Sequence, residues 1–206
     1  MVNARSLKEA MENISALMDK YRDYLVELDA QNGDGDLGIS MSVGYHAVSE
    51  YLRQTDETDL GKLFMKCALA FNEAAPSSLG TITAFGMMGM AKMLKGKQEA
   101  SLPELAEAMA AGIAAIMEKA KSKPGEKTIL DALYPAVTVL KESADKDAKT
   151  AFTAASQAAA AGAESTRKMQ SVHGRGSYYG EKSLGVLDGG AVVGKLIFEG
   201  IAQYCS

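Results

Sequence analysis

From Leu7 the apolar positions fall at Leu7, Met11, Ile14, Met18, Tyr21, Leu25 and Leu28. The steps alternate between four and three, the spacing of one stripe along an α-helix. Ser6 is placed to cap this helix, and Glu9 three residues on completes a capping-box pattern. The same reading predicts further helices from about Gly38 to Arg53, Asp59 to Asn72, Ser78 to Lys95 and Leu102 to Lys119. Three more follow, from Lys127 to Lys141, Asp145 to Met169 and Asp188 to Tyr204. Pro103 stands in a first helical turn, where its missing N–H is no loss. Pro135 stands inside a helix and predicts a kink. Eight helices would cover roughly 70% of the chain, about twice the usual helical share. No segment alternates convincingly with period two. Short connections favour antiparallel neighbours. The expected fold class is all-α, an eight-helix antiparallel barrel or bundle made by residues 1–206 as a single domain.

Composition narrows the function classes. Lys and Arg number 22 against 26 Asp and Glu, a net charge of −4. That balance disfavours nucleic acid and anionic membranes as partners. No apolar run approaches the ~20 residues that span a bilayer, and Met1 to Lys8 lacks the apolar core of a signal peptide. The cytoplasm is the default location. Two cysteines, Cys67 and Cys205, make neither a disulfide framework nor a zinc site. Cys67 reads as a core thiol and Cys205 as exposed. The Ala-rich stretch from Ala151 to Ala163 reads as close helix packing, and the 12 methionines read mainly as core.

The 20 glycines in so helical a chain call for another explanation. Several lie in the turn Asp29-Ala-Gln-Asn-Gly-Asp-Gly-Asp-Leu-Gly38 and others in the long loop His173 to Gly190. Asp29 would stand at the negative end of the first helix dipole, with Asp34 and Asp36 close behind. Three carboxylates in one turn repel each other, and a hard divalent cation such as Mg²⁺ relieves the repulsion. The glycines leave backbone amides free to face phosphate oxygens. A solvated Asx-rich turn is the alternative. An EF-hand fails for want of the central Gly and terminal Glu together. The string Gly33-x-Gly35-x-x-Gly38 follows a helix, not a strand, which excludes a dinucleotide fingerprint. Gly189-x4-Gly194-Lys195 mimics a Walker A loop, but Leu196 replaces the Mg²⁺-binding hydroxyl.

Other glycine turns also precede helices. Ser77 and Ser78 can cap one, Lys123 to Thr128 opens another, and Asp188-Gly-Gly190 leads into the last. Arg175 sits between Gly174 and Gly176, a setting suited to an anion or an adenine face. In an antiparallel bundle these starts belong to even-numbered helices and gather at one end. The pattern predicts one Mg²⁺–nucleotide site there.

These segments resemble the L subunit, or nucleotide-binding domain, of dihydroxyacetone kinases. The resemblance rests on Leu28-Asp-x4-Gly-Asp-Gly-Asp-x-Gly38, Pro124-Gly-Glu-Lys-Thr-Ile-Leu-Asp-Ala-Leu133, Ala161-Gly-Ala-Glu-Ser-Thr166, Gly174-Arg-Gly-Ser-Tyr-Tyr-Gly-Glu-Lys-Ser-Leu-Gly185 and Asp188. It spans the chain and implies an eight-helix barrel with a Mg²⁺-bound adenine nucleotide, ADP or ATP, at one end. It implies that Asp29, Asp34 and Asp36 hold two Mg²⁺ ions. It places nucleotide contacts at Leu37, Gly38, Ile39 and Ser40, at Pro76 and Ser77, at Ala120 and Ile129, at Arg175, and at Asp188, Gly189 and Gly190.

The resemblance further implies a K-type partner subunit that holds a short ketose on a His, with this chain as the phosphoryl-donor half of the kinase. The phosphoryl source would be ATP or a phosphotransferase-system protein. A carrier or regulatory subunit with tightly held ADP, a homodimer and a purely structural helical protein are the other readings. The sequence departs from the family pattern at Leu37 (usually His), Ser40 (often Asn), Glu126 (usually Asp), Gly189 (usually Pro) and the segment Ala75 to Thr81. These departures point towards another ketose, such as a tetrulose.

Overall fold

The computed structural model describes residues 1–205. Among the described residues nine α-helices form: α1 (Ala4–Lys20), α2 (Arg22–Asp29), α3 (Leu37–Gln54), α4 (Leu60–Ala74), α5 (Ser78–Met93), α6 (Leu102–Ala120), α7 (Leu130–Glu142), α8 (Ala148–Ser165) and α9 (Gly189–Tyr204). The first predicted helix is thus two. It breaks at Tyr21, although Tyr21 N–H still reaches Leu17 O and Leu25 N–H reaches Tyr21 O, both at 2.9 Å. The apolar stripe runs through the break undisturbed, which is why the sequence conceals it. Two-residue strands β1 (Val2–Asn3) and β2 (Glu99–Ala100) pair antiparallel, an addition too short to show as period-two alternation.

The N-cap of α1 also differs from the expectation. Asn3, not Ser6, is the cap, and Ser6 closes the reciprocal box from the third helical position. Asn3 Oδ1 accepts Ser6 N–H at 3.1 Å, and Ser6 Oγ accepts Asn3 N–H at 2.7 Å. Glu9 instead pairs with Arg5 at 2.8 Å. Asp147 caps α8 through Thr150 N–H, so this helix starts three residues later than predicted. It ends at Ser165, and Thr166–Lys168 tightens into a 3-10 turn. The sixth predicted helix starts at Leu130 instead of Lys127, and the 173–190 loop contains 3-10 turns over Arg175–Ser183.

Each long helix packs on its neighbours in sequence: α3 on α4, α4 on α5, and so on to α9. α1 packs on both α3 and α9, which closes the ring. The result is a helical barrel in which α1 and α2 together occupy one stave. On α8, Ala151, Ala155, Ala159 and Ala163 are all buried at a spacing of four, so α8 lies close against its neighbours. Pro135 lies inside α7 and cannot donate to the Asp131 carbonyl. Gly162 of α8 packs onto that same carbonyl, where a Cβ would overlap it. The barrel interior is apolar and encloses a cavity of about 160 Å³ lined by Met11, Phe64, Met87, Ile116 and Phe198, among others. Cys67 is fully buried, whereas Cys205 is half-buried and not free at the surface as expected. The Walker-like Gly189 to Lys195 segment lies within α9.

Candidate functional site

The acidic turn joins α2 to α3. One carboxylate oxygen from each of Asp29, Asp34 and Asp36 lies within 4.8 Å of the other two. Asp29 is half-buried and the others are exposed. Gly35 adopts φ +77°, a left-handed conformation natural to glycine. Its N–H donates to Asp29 Oδ2 at 2.8 Å, so Asp29 also fixes the turn. Oxygen donors from a few carboxylates at this spacing suit a hard divalent cation that keeps other positions for water and phosphate. At Gly38 a Cβ would overlap the Arg22 carbonyl and lie 3.0 Å from Val26 Cγ2. The start of α3 is therefore pressed against α2, which brings Asp36 beside Asp29.

Other predicted residues converge on this turn. The Arg175 guanidinium forms an ion pair with Asp34. Leu37 packs on Gly189 so closely that a side chain there would overlap it. A Cβ on Gly190 would lie 3.3 Å from the Ile129 nitrogen. The starts of α3, α7 and α9 and the loop bearing Arg175 thus meet at one pole of the barrel. Leu37, Gly38 and Ile129 are buried, while Ile39 is exposed and Ser40 half-buried. Ser77 caps α5 by accepting Gly80 N–H at 3.1 Å, with exposed Pro76 just before it. Ala120 is the last residue of α6. Lys119 stands 4.7 Å over the Phe85 ring, so the end of α6 lies beside the middle of α5.

Asp188 caps α9 through Ala191 N–H at 2.7 Å, and its own N–H donates to Thr166 Oγ1 at 3.0 Å. Burial pushes its carboxyl up to about 7, aided by Asp131 and Asp29 and opposed by the Ala191 N–H and Lys127. The folded state therefore holds a proton on Asp188 that the unfolded chain, near the ordinary value of 3.8, has released. The stability this proton gives is full below the unfolded value and is lost as pH rises through 7. In chelator-treated protein, Asp188→Asn should keep the cap and remove this loss. Its melting temperature should match the parent at about pH 4 and exceed it increasingly towards about pH 8. A constant difference across that range would show that Asp188 does not titrate as described.

Three residues here make contacts to which the sequence assigned no role. Asp131 accepts Gly125 N–H at 2.6 Å and Thr128 N–H at 2.7 Å, organising the turn before α7. Glu126 meets His173 at 2.6 Å, and the contact lowers the Glu126 carboxyl below its ordinary range. Lys127 is buried and reaches three carbonyls of the long loop. All three lie in the Pro124 to Leu133 segment that carries the family resemblance, which is the signal the sequence offers for them.

The DAK2 domain model matches residues 31–203, from the acidic turn almost to the end of α9. The chain belongs to the DAK2 domain family. Among relatives of this DAK2 domain is the PEP-dependent dihydroxyacetone kinase 2, ADP-binding subunit DhaL, of Listeria innocua. It is 33% identical over 184 residues, covering 88% of this chain and 85% of the relative. The corresponding ADP-binding subunit of Escherichia coli is 31% identical over 171 residues, covering 82% and 81%. The L-erythrulose 1-kinase of Mycolicibacterium smegmatis is 26% identical, covering 96% of this chain but 36% of that protein. The dihydroxyacetone kinase of C. freundii, in complex with AMP-PNP and Mg²⁺, superposes with a TM-score of 0.77 at 26% identity. This chain spans about a third of that chain, with 98% of its own residues covered and 34% of the other's. Among the described residues, no helix is long and apolar enough to cross a membrane.

Proposed function

We propose that this DAK2 domain is the phosphoryl-donor half of a dihydroxyacetone-type ketose kinase, binding Mg²⁺ with ADP or ATP at the acidic pole of the barrel. The observation that carries the reading is the convergence of Asp29, Asp34 and Asp36 with Arg175 at the turn between α2 and α3. The three carboxylates would hold Mg²⁺, two ions by this reading. Bound there, the metal neutralises charge on phosphate oxygens. The amides at the starts of α3 and α9, around Leu37 to Ser40 and Asp188 to Gly190, suit the phosphates. Arg175 would exchange Asp34 for phosphate, a bidentate acceptor. Pro76, Ser77, Ala120 and Ile129 would complete the nucleotide pocket within one domain, residues 1–206. Positioning and charge neutralisation carry the transfer, with no covalent intermediate on this chain.

The sugar would sit on a separate ketose-binding subunit, as the names of the Listeria and E. coli relatives as subunits suggest. Both relatives are called PEP-dependent and ADP-binding, which supports a second form of the same role. In that form ADP stays bound and is rephosphorylated by a phosphotransferase-system protein. The test combines the purified chain with a K-type subunit and a panel of short ketoses, including dihydroxyacetone and erythrulose. ATP and a phosphotransferase-system donor are supplied in parallel. Sugar phosphate should form only when both subunits are present. ADP that survives gel filtration would assign the phosphotransferase form, and rapid exchange would assign direct use of ATP. A flat calorimetric titration with Mg²⁺ and either nucleotide would overturn the reading. Light scattering of the chain alone would reveal a homodimer as a doubled mass.

A further inference from the structure

The loop from Met169 to Val186 leaves the end of α8 and returns just before α9, and both of its ends arrive at one ammonium group. Lys127 Nζ donates to the carbonyls of Met169 at 3.2 Å, Ser183 at 2.5 Å and Val186 at 2.7 Å. All three N–H bonds of the ammonium are thereby used. Lys127 is 4% exposed, an unusual place for a lysine with no carboxylate bonded to it. The backbone is shaped to deliver it. Lys127 itself has φ +60°, a conformation uncommon outside glycine, and Gly125 has φ +95°. The Asp131 carboxylate fixes that turn by accepting Gly125 N–H and Thr128 N–H.

Neighbouring contacts serve the same loop. Glu126 meets His173 near its beginning, and Ser171 N–H donates to Ser183 Oγ at 2.9 Å across its neck. Between these anchors the loop carries Arg175, whose guanidinium reaches Asp34. Removing the ammonium would leave three inward carbonyls without their donor, and buried carbonyls tolerate that poorly. The loop would have to open to solvate them, and Arg175 would move with it.

We infer that Lys127 is a positioning residue: by clasping both ends of the 169–186 loop it holds Arg175 against the phosphates of the bound nucleotide. The inference rests on the nucleotide-binding reading given above. An ammonium suits the task because its donors diverge towards three carbonyls, whereas a guanidinium is planar.

The test measures release of a fluorescent ADP analogue from the full chain with Mg²⁺ by stopped flow. The variants are Lys127→Met, Lys127→Arg, Arg175→Ala and the two double variants. Circular dichroism and melting temperature check that each is folded. Lys127→Met should speed release on the order of tenfold while Arg175 is present, and by less than about twofold in the Arg175→Ala background. Lys127→Arg keeps the charge and N–H donors for the loop carbonyls, though in a planar fork. Should the Met variant fail to fold, the Arg variant must show the same dependence on Arg175 on a smaller scale. Equal acceleration with and without Arg175, or unchanged release in a folded variant, would overturn the inference while leaving nucleotide binding intact. If the parent chain itself fails to hold the analogue with Mg²⁺, the nucleotide-binding reading falls first and this inference with it.

Discussion

Asp34→Asn is expected to abolish practical binding of Mg²⁺–nucleotide while leaving the barrel folded. Asp34 is exposed and its bonded partner is Arg175, so its replacement removes no buried contact. Surface changes of this kind usually alter stability by about 0.5 kcal/mol or less. The neutral amide still offers an oxygen but no charge, and it relieves the repulsion that a cation would otherwise relieve. Loss of one of three charged ligands should weaken Mg²⁺-dependent ADP binding by roughly 100-fold or more, since even changes behind the ligands cost 10–100-fold. Isothermal titration with and without Mg²⁺ reads this directly. Undiminished affinity in a folded variant would remove Asp34 from the ligand set. Asp29 is the poorer choice for this experiment, because Asp29 Oδ2 also accepts the Gly35 N–H and its loss would disturb the turn.

Gly38→Ala should damage both stability and binding. The added methyl group would overlap the Arg22 carbonyl, which is helix backbone and cannot swing aside. α3 must then retreat from α2. Forced separation of this kind costs about 1–3 kcal/mol, against a gain of up to ~1 kcal/mol from the better helix former. The same retreat carries Asp36 and Leu37 away from Asp29. Nucleotide affinity should therefore fall by roughly tenfold or more even in conditions where the variant is fully folded. Denaturant unfolding and titration of the same sample separate the two effects. A variant as stable as the parent would mean that the α2–α3 contact is looser than the structure has it.

These two positions also mark what the sequence could reveal. The acidic turn was legible because its chemistry is local: three carboxylates within eight residues, spaced by glycines, must either repel or share a cation. The helices were legible because each carries its own apolar stripe. Features that depend on distant partners stayed hidden. Lys127 looks like any lysine in a turn, since the carbonyls that bury it come 42 to 59 residues later. The break at Tyr21 was hidden for the opposite reason. Its hydrogen bonds and apolar spacing remain nearly helical, while Tyr21's dihedrals, φ −98° and ψ 9°, depart. The cap at Asn3 was missed because Ser6 fits the motif equally well in either role. Gly38 reads in the sequence as a free amide facing phosphate, but its close approach to Arg22 is a fact of packing between helices.

The closure of α9 onto α1 has a consequence for how such a barrel can be built into larger proteins. α1 leads towards the acidic pole and α9 leads away from it, with Gly200 packed on Ile14, so the described ends of the chain lie together at the opposite pole. α9 begins at the acidic pole and runs 16 residues, roughly 24 Å, before it reaches them. Entry and exit thus share one pole while the chemistry occupies the other. A tether, a fused module or a permuting linker attached there has a whole barrel length between itself and the phosphates. Such an arrangement lets the same barrel be transplanted between chains as a cartridge, its working face untouched by whatever it is plugged into.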